Sequence, residues 1–592
     1  MTYDYAIATL ETLLLETLRS LYPDASLVEA KVSIPTDKAK ADFVTNISFL
    51  LSKELHKAPI AIAQEIVDAL LANTEEFSAE AVMPGFINFR INNAGVSSIL
   101  KHITTEQSAF GRNALYEGQT WVVEHTSPNP NKAMHVGHLR NNLIGMTIGN
   151  VLDFSGAKVI RDWVDNDRGI AIAKAMWGYV AYKQKADEPV KENLLDNWFE
   201  APQNWLLPTD VNIKADHFVG ECYLLGATAF KEDEAVEAVV RQYALDWETG
   251  DKKVWALWEL ILGFAHTGIF QTLERIGNHW DYGWHEHEHY KQGKGLVDEG
   301  LEKGIFKRLD SGAILTQFPE SYKIPDTIVL KSDNTSLYIT QDLALTKLKK
   351  EKYNADKLLW VIGPEQTVAM KQVFAICEQL GIGALGDFIH VPYGLISISK
   401  DGVRKKMSSR GGETLFVDDL LDEVKETILE ADRGYSDADA DAIAVGATKF
   451  AILKPARNTD TAIDINQAVS LEGDSGVYVL YTMARIRALI AKNSEAVAVD
   501  AQYEYSEDEH AHALQLLYFP QIITSILSDF STNTLVEYSL DIAHSFNSMY
   551  AKERFITDDV VETQKKIELA NASLVVLETT LKLLGIQRIE EI

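Results

Sequence analysis

The sequence predicts an α/β protein built on a doubly wound parallel sheet, with a small α+β domain before it and an all-α bundle after it. Three observations predict this fold class. The first hundred or so residues mix helical and alternating strand patterns. From Thr120, apolar strands alternate with glycine-containing loops and amphipathic helices, and after Leu471 the pattern is almost wholly helical. The middle part is therefore typical of a Rossmann-type nucleotide-binding sheet.

The length of the chain requires more than one domain. The chain has 592 residues, whereas single hydrophobic cores stop growing at roughly 250 to 300 residues. Changes of pattern predict an N-terminal domain over residues 1–113, a catalytic domain over 114–470 and a helical domain over 471–592. Within the catalytic domain, a Trp-rich segment at about 185–330 predicts a helical insertion.

Composition and charge exclude several classes of protein. The chain has 56 basic and 86 acidic residues, a formal charge of -30, so its bulk surface repels polyanions and we expect no DNA partner. Two distant cysteines, Cys222 and Cys377, are too few for a disulfide framework or a cysteine zinc site. No uncharged apolar stretch approaches the ~20 residues that cross a bilayer. We expect a cytoplasmic protein without membrane contact.

A first loop carries two histidines at a predicted helix start. A strand at Trp121–Glu124, a loop and helix beginning near Ser127–His138, and a strand at Lys158–Val164 form a βαβ unit. Such a unit places anions at the helix N-terminus. His135 and His138 can donate hydrogen bonds to phosphate oxygens, and Gly137 has no side chain to block a nucleotide. Taken alone, the two histidines are about equally expected to cap the helix.

A second loop concentrates positive charge in an acidic chain. Arg404–Gly412 holds four cations within seven positions, together with the hydroxyls of Ser408 and Ser409. Lys406 and these hydroxyls suit the binding of a leaving pyrophosphate, where charge develops in the transition state. Alone, the loop is better interpreted as a solvated basic segment. Together with the histidine loop, it favours phosphate chemistry.

The two loops resemble the signatures of class I aminoacyl-tRNA synthetases. His135-Val136-Gly137-His138 is similar to the first signature and Lys406-Met407-Ser408-Ser409-Arg410 to the second, while the string from Ser127 to Arg140 resembles arginyl-tRNA synthetases in particular. Ser409 stands where the class signature has a second lysine, and Lys132 is the expected replacement. Further similar segments run along the chain, at Pro84–Phe89, Tyr338–Ala344, Gly363–Gln366, Glu472–Gly476 and Phe546–Tyr550.

The resemblance implies an enzyme that joins L-arginine to tRNA(Arg) through an arginyl-adenylate, using ATP with Mg²⁺ and acting as a monomer. It implies an N-terminal domain that binds the tRNA elbow, a catalytic domain and an anticodon-binding domain. The residues expected to bind ATP are Lys132, His135, Gly137, His138, Lys406, Met407, Ser408 and Ser409.

The arginine pocket is expected to be acidic. A guanidinium is always charged and presents planar N–H donors, so its site needs carboxylates. Tyr338 and Asp342 lie one helical turn apart and face the same side of a helix. The resemblance puts Asn129 and Gln366 at the substrate's amino and carboxylate groups, with Glu124 close by. It also makes Glu286 a second guanidinium carboxylate, with an alignment uncertain by two residues.

The His285–Tyr290 run also suits a metal site. Alternating histidines fit one face of a strand, and imidazole with carboxylate is zinc chemistry. Because the run stands beside no other candidate ligand cluster in the sequence, we predict no structural metal.

The tRNA contacts follow from the resemblance and from the need for aromatic and cationic groups to hold unstacked bases. A tyrosine of a helical bundle is about as often a packing residue as an RNA contact. The residues expected to bind tRNA are Phe86 and Asn88 in the N-terminal domain, and Tyr478, Tyr481, Arg485, Asn547 and Tyr550 in the helical domain.

Two alternatives stay open at this point. The first is a class I synthetase for another amino acid, although two distant cysteines cannot build the zinc site that cysteine recognition needs, and no editing insertion is evident. The second is a non-catalytic tRNA-binding relative. The presence of His135, His138 and Lys406 argues against it, because a retired site has no physical reason to retain them.

Overall fold

The computed structural model describes most of the chain. The described residues are 5–26, 29–35, 41–70, 76–185, 190–333, 337–400, 403–405, 415–431, 434–470, 473–493 and 503–589. They form two compact units. One comprises residues 1–117, 150–156 and 470–592, and the other comprises 118–149 and 157–469.

The N-terminal part of the first unit is α+β, as predicted. A three-stranded antiparallel sheet has the order β1-β3-β2. Ile87, Phe89 and Ile91 alternate into the core along β3, which confirms the strand pattern read from the sequence. The elements are α1 (Tyr5–Leu21), β1 (Phe43–Thr45), α2 (Ile47–Leu55), α3 (Pro59–Leu70), β2 (Phe77–Val82), β3 (Phe86–Ile91) and α4 (Asn93–Glu106).

The second unit is organised around a five-stranded parallel sheet, which confirms the predicted fold class. Its order is β11-β10-β4-β5-β6. Strands β4 and β10 are nearly continuously buried because helices cover both faces of the sheet. The sheet and its flanking helices comprise β4 (Thr120–Glu124), α5 (Val136–Phe154), β5 (Lys158–Asp165), α6 (Ile170–Tyr182), β6 (Tyr282–His285), α13 (Tyr338–Tyr353), β10 (Lys357–Val361), α14 (Thr367–Leu380) and β11 (Phe388–Val391).

The segment between α6 and α13 differs from the predicted helical insertion. Helices α7 (Leu194–Glu200), α8 (Ala215–Glu232), α9 (Glu234–Thr249) and α10 (Lys252–Arg275) account for its first part. Its second part contains β6, which pairs with β5 in the main sheet. It also contains α11 (Glu286–His289), α12 (Gly293–Glu302) and the antiparallel strands β7 (Phe306–Arg308), β8 (Ile314–Thr316) and β9 (Ile328–Leu330). Strands of three or four residues carry too little periodicity to be recognised within a Trp-rich stretch.

The last part of the second unit adds a small sheet and two long helices. The sheet has the order β13-β12-β14. The elements are β12 (Ile396–Lys400), β13 (Val403–Lys405), α15 (Val417–Glu430), α16 (Asp437–Leu453), β14 (Thr461–Asp464) and α17 (Ile465–Ala468).

A helical bundle completes the first unit, as predicted. It packs on the N-terminal part of that unit, where Nε2 of His510 lies 3.1 Å from Oδ2 of Asp42. Among the described residues, no helix is both long and apolar enough to span a bilayer. The helices are α18 (Gly476–Lys492), α19 (Glu507–Leu517), α20 (Phe519–Asp529), α21 (Asn533–Lys552) and α22 (Val560–Leu583).

Candidate active site

A cleft of about 1570 Å³ opens at the carboxyl ends of the parallel strands. Its walls come from the segments that follow β4, β5, β6 and β10, together with the first turns of α13. Ligands of open α/β sheets bind at this edge, because the loops after the strands converge there. The cleft is large enough for a nucleotide and an amino acid together.

The two histidines of the first loop stack on each other at the start of α5. Their ring centroids lie 3.6 Å apart at an angle of 18°. Nδ1 of each ring accepts a hydrogen bond from the backbone amide of the other residue, at 3.3 and 3.4 Å. Because each Nδ1 is an acceptor, each Nε2 carries the proton and can donate to a ligand. His138 lines the cleft.

Burial keeps both imidazoles neutral. Burial, reinforced by the nearby Lys132 ammonium, lowers the pKa of His135 to about 4. Burial and the neighbouring His135 lower the pKa of His138 further below its ordinary value. Burial also lowers the pKa of Lys132, which lines the cleft. The loop therefore offers neutral hydrogen-bond donors beside one ammonium group.

The contacts around Gly137 explain in another way why a residue without a side chain stands there. A Cβ at this position would lie 3.0 Å from Cε1 and 3.1 Å from Nδ1 of His135. The missing side chain thus makes room for the stacked imidazole of His135, whereas the sequence suggested space for the nucleotide itself. The glycine acts on the site through the histidine ring.

Residues 406–414, which include most of the second loop, lie outside the described residues, so the roles of Lys406, Met407, Ser408 and Ser409 stay predictions. The chain that follows it pairs with the first loop. The amide of Val136 donates to the carbonyl of Leu415 at 3.3 Å, and the amide of Val417 donates to the carbonyl of Met134 at 2.9 Å.

Asp342 and Tyr338 both line the cleft, one turn apart on α13. Both residues are exposed, Tyr338 to 83%. Loss of hydration between the cleft walls, with the charges of Glu124 and Glu286, raises the pKa of Asp342 to about 7 despite the opposing effect of Lys349. A cation bound in the cleft would stabilise the ionised form of Asp342.

Glu286 is the carboxylate of the histidine run that lines the cleft, whereas Glu288 is exposed. Oε1 of Glu286 accepts a hydrogen bond from Gln341 at 2.9 Å and lies 3.5 Å from Arg168. Burial raises the pKa of Glu286 to about 7, because it outweighs the attraction of Arg168. The predicted strand alternation stops at His285, since residues 286–289 form one helical turn.

A buried lysine that the sequence analysis did not identify holds Glu124. Nζ of Lys349 lies 2.6 Å from Oε2 of Glu124 and 3.0 Å from Oδ2 of Asp162. Burial opposes the charge of Lys349, but the two carboxylates raise its pKa. Burial likewise raises the pKa of Asp162 to about 6. The available signal was helical spacing, because Lys349 lies two turns beyond Asp342 on the same face of α13.

The two polar residues expected at the substrate's α-amino and carboxylate groups also line the cleft. Asn129 is exposed and its Oδ1 accepts a hydrogen bond from Asn166 at 3.3 Å. Gln366 is exposed at the start of α14. The cleft thus brings together Glu124, Asn129, Lys132, His138, Glu286, Tyr338, Asp342 and Gln366.

The residues predicted to bind tRNA lie in the first unit. Arg485 lies between two half-exposed rings, 5.0 Å from that of Tyr481 and 5.1 Å from that of Tyr550. It also donates to Asn547, which donates to Thr482 at 2.7 Å. The Tyr478 ring lies 4.8 Å from that of His544.

The two N-terminal candidates stand on β3. Phe86 is exposed and its ring lies 5.1 Å from that of Phe49, while Asn88 is partly buried opposite Val44 and Glu80.

Three family models match the chain. One described as "tRNA synthetases class I (R), catalytic domain" matches residues 96–192 and 208–465, which is more than half of the chain. An "Arginyl tRNA synthetase N terminal domain" matches residues 8–91, and a "DALR anticodon binding domain" matches 479–592.

Individual relatives agree over almost the whole length. An arginine–tRNA ligase of Bacteroides thetaiotaomicron is 28% identical over 552 residues, covering 87% of this chain and 88% of the relative. That of Borrelia duttonii is 27% identical and covers 99% of both chains. The fold matches the arginyl-tRNA synthetase structure of Thermus thermophilus with a TM-score of 0.77 at 23% identity, covering 99% of this chain and 100% of that one. The chain therefore belongs to the arginyl-tRNA synthetase family of class I tRNA synthetases.

Proposed function

We propose that the protein ligates L-arginine to its cognate tRNA through an arginyl-adenylate, consuming ATP and releasing AMP and pyrophosphate. The observation that carries the proposal is that two carboxylates, Asp342 and Glu286, line the same cleft as His138, whose ring stacks on that of His135. The cleft raises the pKa values of both carboxylates to about 7. A raised pKa means that the ionised form of a carboxyl group is destabilised when no ligand is bound. Such a site fits a ligand with a permanent positive charge.

Asp342 and Glu286 bind the guanidinium in this proposal, with the phenol of Tyr338 as a further contact at the rim. Asn129 and Gln366 hold the α-amino and carboxylate groups. Glu124 acts near the α-amino group, and Lys349 fixes the orientation of its carboxylate through the 2.6 Å contact. A planar cation between two carboxylates makes charge-assisted hydrogen bonds that a neutral side chain cannot make.

His135, His138 and Lys132 bind the phosphates of ATP, which enters as its magnesium complex. The N–H groups at Nε2 of the histidines stabilise oxygens of the pentavalent α-phosphate. Lys132 supplies the positive charge that the class signature places in the second loop as a lysine, at the position where this chain has Ser409. Lys406, Met407, Ser408 and Ser409 complete the phosphate site. Support for their proximity comes from the backbone pairing of Leu415–Val417 with the first loop.

The reaction needs positioning and charge neutralisation. A carboxylate oxygen of arginine attacks the α-phosphorus in line, the bond to the bridging oxygen breaks, and pyrophosphate leaves with the electron pair. The 2′-hydroxyl of the terminal adenosine of tRNA then attacks the arginyl carbonyl and AMP leaves. Neither step requires a covalent enzyme intermediate, and arginine activation is expected to require bound tRNA.

The other predictions complete the proposal. Residues 1–113 bind the tRNA elbow through Phe86 and Asn88, residues 114–470 catalyse the reaction, and residues 471–592 bind the anticodon. The stacking of Arg485 between Tyr481 and Tyr550 supports the last role, because such surfaces hold unstacked bases. Tyr478 and Asn547 lie beside it. The enzyme acts as a cytoplasmic monomer.

Aminoacylation of total tRNA with each labelled amino acid in turn tests the proposal. We expect arginine alone to be transferred, and only when ATP is present. Transfer of another amino acid would show that the carboxylate pocket is misassigned. Tight tRNA binding without any transfer would identify a non-catalytic tRNA-binding relative.

A further inference from the structure

A second cluster of charged side chains lies behind the arginine side of the cleft. Asp165 is the last residue of β5, Asp167 lies two residues further on, and both are fully buried. Three histidines, His266 of α10, His285 at the end of β6 and His287 of α11, surround them and are partly exposed. The cleft wall itself is formed by the intervening Asn166 and Glu286.

The nitrogen and oxygen atoms of this cluster converge. Oδ2 of Asp165 lies 2.9 Å from Nδ1 of His285 and 2.9 Å from Nε2 of His266. Oδ2 of Asp167 contacts Nδ1 of His287 and lies 3.8 Å from Nδ1 of His285. One atom each from Asp167, His285 and His287 lie within 4.8 Å of one another. Bonds of 2.0–2.1 Å to a tetrahedral zinc ion place ligand atoms about 3.3 Å apart, which these distances bracket.

Hydrogen bonds among the described residues leave part of the cluster without partners. Oδ1 of Asp167 accepts a hydrogen bond from the backbone amide of His287 at 3.0 Å, which orients Oδ2 toward the histidines. Oδ1 of Asp165 is buried and accepts no hydrogen bond from the described residues. Nε2 of His266 approaches Asp165 at an angle unsuited to a hydrogen bond. Simple ion pairing therefore leaves the cluster incompletely satisfied.

The charges of the cluster favour a divalent cation. The Asp165 and Asp167 side chains are both fully buried, and each contacts an imidazole nitrogen. Two buried carboxylates repel each other, and a divalent cation bound between them neutralises both while neutral imidazoles complete its coordination.

We propose that Asp165, Asp167, His285 and His287 bind one divalent transition-metal ion, with zinc as the preferred ion. Imidazole and carboxylate ligands are the donor set that zinc favours. His266 orients the Asp165 carboxylate. Trp258, whose ring lies 5.1 Å from that of His287, and Trp163, 5.8 Å from His285, form apolar walls beside the histidines.

No metal was predicted from the sequence, because the histidine run stands beside no other candidate ligand cluster there. His285 and Asp165 are 120 residues apart, and so are His287 and Asp167. The parallel pairing of β5 with β6 brings them together, with Asp165 directly opposite His285 in register. A ligand set divided between two strands in this way is not visible in either segment alone.

The ion would position a carboxylate of the arginine pocket. Glu286 lies between His285 and His287, so a metal bound by both histidines fixes the turn that carries it. This consequence rests on the proposed function, whereas metal binding itself does not. Glu286 is the group that touches substrate, and the metal ligands are positioning residues.

Metal analysis of untagged protein, incubated with zinc and then desalted, tests the site. We expect about one zinc per chain, and a visible spectrum typical of four-coordinate cobalt after Co²⁺ replacement. Asp167→Asn and His287→Gln should lose the ion while keeping the circular dichroism of the wild type. His289→Gln is the matched control, because this buried imidazole of the same run makes no hydrogen bond with the described residues. It should retain zinc.

Two results would overturn the site. One is wild-type protein that binds less than about a tenth of an equivalent of zinc, and the other is a folded His287→Gln variant that keeps full zinc.

The positioning role has its own test. Removal of the ion with a chelator is expected to raise the KM for arginine several-fold and to leave the KM for ATP unchanged. An unchanged KM for arginine would refute the positioning role. Because zinc content is measured without substrate, failure of the proposed reaction does not affect it.

Discussion

The two ends of the cleft achieve opposite electrostatic conditions by the same means, loss of hydration. At the arginine end, loss of hydration raises the pKa values of Asp342 and Glu286 to about 7. At the phosphate end, burial lowers the pKa of His135 to about 4 and that of His138 further. The arginine end therefore holds carboxylates that gain stability from a cation, and the phosphate end holds neutral donors.

This difference indicates where each end obtains its charge. In the proposed reaction, the substrate's guanidinium supplies the positive charge at the arginine end, because Lys349 is already shared by Glu124 and Asp162. At the phosphate end, neutral imidazoles cannot balance a triphosphate. We therefore propose that this end depends on Lys132, on the magnesium bound to ATP and on the cations of the second loop.

The phosphate end should show the largest effect. Lys406→Ala is expected to lower the rate of arginine activation by about two to three orders of magnitude, because it removes one contact to charge that develops in the transition state. Arginine affinity should change little. ATP–pyrophosphate exchange with tRNA present measures the rate, and Lys307→Ala, an exposed lysine on β7, is the control. Unchanged exchange in Lys406→Ala would remove the second loop from the mechanism.

At the arginine end, Asp342→Asn is expected to raise the KM for arginine roughly 100-fold, about 3 kcal/mol for the loss of one partner of a charge pair. The KM for ATP should stay close to that of the wild type. Steady-state aminoacylation measures both constants, with Asp298→Asn on the exposed face of α12 as the control. A normal KM for arginine would mean that the guanidinium binds elsewhere.

The second carboxylate should contribute less. Glu286→Gln is expected to raise the KM for arginine about tenfold, because Gln341 and Arg168 already share its charge. Glu288→Gln, two residues away and exposed, is a matched control that should have no effect. Equal effects of the two substitutions would contradict the assignment of Glu286 to the pocket.

The arginine end should also be sensitive to pH. In the free cleft, Asp342 and Glu286 are protonated below pH of about 7, and a bound guanidinium lowers their pKa values. The KM for arginine should therefore rise as pH falls through about 7, by at most about tenfold per pH unit for each group. Asp342→Asn should flatten the profile. A KM for arginine that falls with decreasing pH would contradict this prediction.

The sequence alone was sufficient to predict elements whose determinants lie within one short segment. The β4–α5–β5 unit was predicted within a few residues, because strand length, loop and helical spacing are all contained in one segment. The position of Asp342 on the same helix as Tyr338 followed from a spacing of four residues. The fold class and the family followed from such segments together.

The sequence alone was insufficient to predict contacts between segments that are far apart in the chain. Lys349 contacts Glu124 across 225 residues of chain, and the strand β6 that aligns His285 with Asp165 is only four residues long. The choice between Glu286 and Glu288 depended on one helical turn. The alternating residue types of this segment had predicted a strand instead. Gly137 was recognised, but its contact with the His135 ring was not.

Selection of a cation by the carboxylates of Asp342 and Glu286 is tested most directly by calorimetric titration of the protein with L-arginine and with L-citrulline. Citrulline has nearly the same shape but a neutral ureido group in place of the guanidinium. We expect saturable binding of arginine and binding of citrulline weaker by at least about 100-fold, the loss expected when charged partners are left unpaired. Comparable affinities for the two ligands would contradict recognition by charge.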